Sequence, residues 1–240
     1  MVSLDAADGT LNLGIGIFET LRTYGGCVFG LDEHLDRLCS SAFAIGMHEP
    51  DIDQIARELV EVVDAFEGDV MLRVTITEGG TRVIVGNRLP VVPDPFRCVT
   101  RLFVPPAWLD GTVKHTSRAF SRRAVVEAGV EEVLWVDEAG FLLEGTRSNV
   151  FAVCGGVLVT PPVDGRILAG VTRSALIDAA DEAGVAVEIR PLDPTATLDE
   201  LYVSSTLKEL TGVDELNGVR APGTGPTGQR VLEAFRRILS

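Results

Sequence analysis

The chain has 240 residues, 46% of them hydrophobic and 23% charged, with 35 acidic side chains against 21 basic ones and a formal net charge of −14. That balance belongs to a globular chain long enough to bury a sizeable core, so it excludes a disordered chain; the negative field, with no local basic patch, argues against a nucleic-acid partner. No apolar run approaches the ~18–20 residues that span a bilayer, and Cys27, Cys39, Cys98 and Cys154 form no CxxC pair, so no membrane span, disulfide framework or zinc site is expected, and the cytoplasm is the expected compartment.

The first thirteen residues read as irregular. Residues 15–23 alternate apolar and polar side chains as a strand does, and Tyr24-Gly25-Gly26 turns the chain towards a partner strand at 27–29. Asp32 reads as the N-cap of a helix whose stripe is Leu35, Leu38, Ala42 and Ile45, with Gly46 at its stop. A second helix starts at Asp51, where Gln54 completes a capping-box-like pair, and runs to about Phe66. Strands are expected at 69–77, 81–86 and 97–104. The stretch Pro105-Pro106-Ala107-Trp108-Leu109-Asp110-Gly111 reads as a linker. After it come a helix at 117–128, a strand at 133–136, a hairpin through Glu138-Ala139-Gly140, and strands at 148–154 and 157–160. A helix at 172–183, strands at 185–190 and 201–204 and a helix at 228–239 complete the chain. Mixed strands and helices with many hairpins indicate an α+β fold, not a doubly wound parallel sheet. The linker divides it into a smaller N-terminal subdomain, 1–107, and a larger C-terminal one, 108–240.

Several chemistries drop out. Leu13-Gly14-Ile15-Gly16 precedes a strand and does not join one to a helix, so it is no dinucleotide fingerprint; no Walker motif or GxSxG elbow is present. His34, His48 and His115 lack metal-ligand spacing and read as ordinary core or surface residues. Only two basic residues are lysines, Lys114 and Lys208, so any amine chemistry has two candidates. Three segments remain unusual for a purely structural chain: Val113-Lys114-His115-Thr116-Ser117-Arg118; the dense polar run from Leu143 to Phe151; and Leu168-Ala169-Gly170-Val171-Thr172-Arg173, which opens a helix. A helix start preceded by glycine offers free N–H groups and a positive dipole end, which suit a phosphate.

Taken in order, FETLR, LDEHLDRL, VKHTSR, LLEGTRSNVF, LAGVTR and SSTLKEL resemble the fold-type IV pyridoxal-phosphate enzymes. That family holds the branched-chain and D-amino-acid aminotransferases and 4-amino-4-deoxychorismate lyase, and the resemblance runs from about residue 12 to about 220. It implies pyridoxal 5'-phosphate as cofactor, with Lys114 as the lysine that bonds it and then shuttles the substrate proton. Glu144 matches the acid paired with the pyridine nitrogen. Arg37 matches the arginine that grips the phosphate, Val171 and Thr172 the helix-start contacts, and Thr206 the remaining one. Lys208 falls where the family places no cofactor lysine, and keeps a structural reading. Arg22, Arg73, Arg82 and Arg118 are candidates for a substrate carboxylate. The roles are chemically coherent: a carboxylate stabilises a protonated pyridine, and an arginine with helix-end amides suits a doubly charged phosphate. A homodimer with active sites between the subdomains is also implied.

Two departures bear on the activity. Only about a dozen residues precede the GxGxFET segment, where the family has a strand pair, so either the small-domain sheet is shorter or the true start lies upstream. Many of the aminotransferases carry a tyrosine four or five residues after the lysine; here those positions are Arg118 and Ala119, a local pattern like that of some lyases. The leading expectation is an aminotransferase moving an amino group between an amino acid and a 2-oxo acid. The alternative is the lyase, which releases pyruvate and 4-aminobenzoate, and the third is a non-catalytic cofactor-binding relative.

Overall fold

The computed structural model describes residues 4–104 and 111–239. The expected boundary at 107–108 lies outside the described residues. The chain packs as two compact units, one of Met1–Pro90 with Thr112–Arg118, the other of Val91–Gly111 with Ala119–Ser240. The segment holding Lys114 therefore packs with the first unit, and the strand expected near 97–104 with the second.

In the first unit, a short helix α1 (Gly9–Leu13) precedes β1 (Gly16–Tyr24), β2 (Cys27–Val28), α2 (Leu31–Ala44), α3 (Ile52–Asp64), β3 (Val70–Thr77) and β4 (Arg82–Arg88). The sheet order is β2-β1-β3-β4, all antiparallel. Ile17 and Leu21 of β1 and Val70, Leu72, Val74 and Ile76 of β3 bury one face of this sheet against Leu35, Leu38 and Ala42 of α2 and Ile55 and Leu59 of α3, as period-2 strands and period-3.6 helices require. The first residues are not wholly irregular: Asp8 caps α1, accepting from the Thr10 N–H. The N-cap of α2 is Gly30, and Asp32 sits in the first turn, where its charge faces the positive end of the helix dipole. Asp51 does cap α3, accepting from the Gln54 N–H, but the Gln54 side chain turns forward to Glu58, leaving the capping box half formed.

The second unit comprises β5 (Arg97–Leu102), α4 (Ala119–Ala128), β6 (Glu132–Val136), β7 (Leu142–Gly145), β8 (Asn149–Cys154), β9 (Val157–Thr160), α5 (Val171–Glu182), β10 (Val187–Ile189), β11 (Glu200–Ser205), β12 (Glu209–Gly212), β13 (Glu215–Leu216), β14 (Val219–Arg220) and α6 (Pro226–Ile238). Its sheet runs β10-β9-β8-β7-β6-β5-β13-β14, with β11 paired to β8 and β12 to β11. Pleating splits the apolar residues between two clusters: Leu134, Leu142, Val150 and Ala152 enter one, and Val133, Trp135 and Leu143 the other. Among the described residues no helix is long and apolar enough to cross a membrane.

Candidate active site

Lys114 lies in a segment that pairs with β1. The Phe18 N–H donates to the Lys114 carbonyl at 3.1 Å, the Thr116 N–H donates to the Gly16 carbonyl at 2.8 Å, and the Lys114 N–H donates to Ser41 Oγ of α2 at 3.1 Å. The backbone beneath the amine is thus fixed on two sides. Lys114 Nζ stands 5.1 Å from the centroid of the Phe18 ring, and the Arg73 guanidinium carbon stands 3.5 Å from the same centroid. Arg73 also reaches Thr20 Oγ1 at 3.4 Å; burial and the nearby Arg118 charge lower its pKa, against an opposing pull from Glu19. Arg22 instead lies over the Tyr24 ring, 4.0 Å from its centroid, and Arg82 pairs with Glu58. Of the arginines considered for a substrate carboxylate, Arg73 and Arg118 are thus the two close enough to perturb one another.

Arg37 is held in place by a residue that sequence reasoning passed over. Its Nε and Nη2 donate to the two oxygens of Glu19, both at 2.7 Å, a bidentate pairing, and His34 Nδ1 meets Glu19 Oε2 at 2.7 Å. Glu19 and His34 are essentially fully buried, and 11% of the Arg37 side chain is exposed. Burial alone would raise the Glu19 pKa, but the hydrogen bonds from His34 and Arg37, with the charges of Arg37 and Lys114, hold it at about 2. Burial, with the charges of Arg37 and Lys114, lowers the His34 pKa against the pull of Glu19, and the Glu19 carboxylate can only accept, so Nδ1 of the neutral ring donates to it. The signal was present in the sequence: Glu19 shares the strand face of Ile17, Leu21 and Thr23, all buried, and a carboxylate in that register has to be paired.

This pairing makes a testable statement about stability. The Glu19 carboxylate titrates lower in the folded chain than its ordinary 4.5, so its contribution is complete above about pH 4.5 and is lost as the pH falls towards 2. Glu19→Gln should unfold about 3 kcal/mol more easily at pH 7, with the gap to wild type narrowing below pH 4.5 in parallel urea titrations. A gap that does not change with pH would refute the pairing.

In the second unit, Glu144 Oε2 accepts the Leu168 N–H at 2.9 Å, while Asn149 Nδ2 donates to the Leu168 carbonyl at 2.9 Å. One residue of the loop before α5 is thus gripped at both its backbone groups. Gly170 then caps α5 with no side-chain bond. A Cβ at Gly170 would run into Asn149 Oδ1, so glycine lets the helix start approach Asn149 without displacing its side chain. Val171 and Thr172 form the first turn, and Thr172 Oγ1 is buried with no hydrogen-bond partner among the described residues; the same holds for Ser204 Oγ on β11. Thr206 occupies the turn after β11, closed by the Lys208 N–H donating to the Ser205 carbonyl at 3.0 Å. An open helix start and buried hydroxyls lacking an acceptor fit a phosphate group. Lys208 is not exposed: its Nζ meets the buried Glu132 Oε2 at 2.8 Å.

The fold is that of the fold-type IV pyridoxal-phosphate enzymes. The chain belongs to the class IV aminotransferases, whose family model, "Amino-transferase class IV", matches residues 16–216. It is 33% identical to a Methanocaldococcus jannaschii protein provisionally assigned as a branched-chain-amino-acid aminotransferase, over 96% of this chain and 89% of that one. It is 30% identical to a D-alanine aminotransferase of Listeria monocytogenes, over 98% and 92%. Among solved structures, it matches a hypothetical aminotransferase from Mycobacterium tuberculosis, bound to α-ketoglutarate and PMP, with a TM-score of 0.90 and 26% identity over 100% of this chain and 94% of that one. The chain is a pyridoxal-phosphate-dependent aminotransferase by family.

Proposed function

We propose that this chain transfers an amino group between an amino acid and a 2-oxo acid, with the roles of its residues as follows. When bound, pyridoxal phosphate supplies the electron sink for bonds at the substrate's α-carbon. Lys114 bonds the cofactor between turnovers, and its Nζ carries the proton to and from the α-carbon. Glu144 keeps a proton on the pyridine nitrogen. Arg37, set by Glu19, together with the Val171 and Thr172 amides, the Thr172 hydroxyl and Thr206, holds the phosphate. Arg73 and Arg118 serve the substrate carboxylate. The observation that carries this reading is the uncapped start of α5, with the buried Thr172 hydroxyl awaiting an acceptor.

The test is product analysis. With a panel of L- and D-amino acids and 2-oxoglutarate, glutamate and the matching 2-oxo acid should form. Aminodeoxychorismate serves as the parallel substrate, because Arg118 in place of the tyrosine favours the lyase. Pyruvate and 4-aminobenzoate from it, with no amino transfer from any amino acid, would overturn the proposal. We also propose a homodimer. Sedimentation should show a species of twice the 25.7 kDa chain mass, and a fully active monomer would refute it.

A further inference from the structure

We propose that Lys208 and Glu132 are positioning residues for the phosphate end of the cofactor site, acting through the turn that carries Thr206; the proposal rests on the cofactor reading above. Lys208 is one of only two lysines in the chain, yet its ammonium group is directed inwards. The pair is 2.8 Å apart, with 13% of the Lys208 side chain and none of the Glu132 side chain exposed.

Glu132 joins two segments. Its Oε1 accepts from Thr146 Oγ1 at 2.8 Å and from the Arg147 N–H at 2.6 Å, in the turn directly after Glu144. Its Oε2 holds Lys208, two residues after Thr206. A Cβ at Gly145 would run into Ser148 Oγ and press on Glu132 Oε1 at 3.0 Å, so glycine lets both side chains crowd this turn without shifting. The Lys208 backbone is fixed as well. Its N–H donates to the Ser205 carbonyl at 3.0 Å, and its carbonyl accepts from Thr211 Oγ1 at 2.8 Å. With Ser204 in register opposite Asn149 on β8, Thr206 sits on a turn anchored at both ends. Burial opposes the charge on Glu132, and the Lys208 charge, with that of Arg147 and the Thr146 hydrogen bond, overcomes it.

A buried ion pair is a poor device for stability alone, since an apolar pair of similar volume often does as well or better. What it supplies is a fixed distance. Loss of a supporting contact loosens a binding site even where the fold survives.

The experiment compares three variants of the full chain, freed of cofactor, by their affinities for pyridoxal phosphate, for pyridoxal and for inorganic phosphate. Glu132→Gln with Lys208→Met removes both charges at similar volume, Lys208→Arg keeps the charge but alters its geometry, and Thr206→Val deletes the hydroxyl. The first two should weaken pyridoxal phosphate and inorganic phosphate on the order of tenfold and leave pyridoxal unchanged. If Thr206→Val weakens phosphate binding while the other two leave it intact, the proposal is overturned and the cofactor reading stands. If none of the three affects phosphate binding, the assignment of Thr206 fails and takes the proposal with it. Equal losses for pyridoxal and its phosphate would mark a general structural role and also overturn it. Should the double variant not fold, Lys208→Arg decides alone.

Discussion

Lys114→Ala should lower kcat by about two to four powers of ten, the size of a positioned proton-transfer group, with any covalent assistance adding to that loss. The variant should still bind cofactor, because the groups proposed for the phosphate are untouched, but it should not retain it through borohydride reduction. In wild type, reduction followed by peptide mapping should place the label on the peptide containing Lys114. Lys208 is the only rival amine on a lysine side chain, and its Nζ is held against Glu132 Oε2 at 2.8 Å. Lys114 by contrast has its backbone fixed by Phe18 and Ser41, with its amine 5.1 Å from the centroid of the Phe18 ring. If Lys114 were only a surface side chain, its loss would change stability by less than about 0.5 kcal/mol and leave the rate alone. A label on Lys208 would end the assignment.

Glu144→Gln should load with cofactor normally and lose about a hundredfold in kcat, comparable to removing one preorganised electrostatic partner from an active site. The amide cannot hold a proton on a pyridine nitrogen as a carboxylate does, and the deficit grows as charge develops in the transition state, so it falls on kcat more than on KM. The amide oxygen can still accept the Leu168 N–H, now held by Glu144 Oε2 at 2.9 Å, so the loop before α5 should keep its place. That separates the two readings of the residue. If Glu144 does no more than hold this loop, Gln should preserve nearly all of kcat and shift stability by under about 1 kcal/mol.

The alternation of β1 and β3, the stripes of α2 and α3 and the β9–α5 passage could be read from the sequence because each rests on local periodicity. The short strands β12, β13 and β14 could not. They have two to four residues each: β12 and β14 are the short returns of hairpins with β11 and β13, and β13 exists because β5, far earlier in the chain, offers it an edge. β7 is the return strand of the hairpin expected through Glu138-Ala139-Gly140, and its Leu142 and Leu143 bury on opposite faces. Within the site, the ordered motifs marked which residues to inspect but not what holds them. The motif marked Arg37 but not its pairing with Glu19 and His34, because β1 and α2 meet only once folded. Lys208 was left with a structural reading, and its partner Glu132, 76 positions earlier, has no sequence signature.

The pairing of Thr116 and Lys114 with Gly16 and Phe18 has a consequence for biosynthesis. The first unit is not a continuous stretch of chain, and its sheet gains that edge only after the ribosome has released some thirty residues beyond β4. Until then the outer side of β1 carries unpaired backbone groups, the kind of edge that recruits a strand from another molecule. A nascent or truncated chain ending at Pro90 should therefore leave this edge of β1 open, and one extended through Arg118 should cover it. The residue proposed for catalysis would then arrive on the same seven-residue segment that closes the sheet, so this unit cannot finish folding before its lysine is in place.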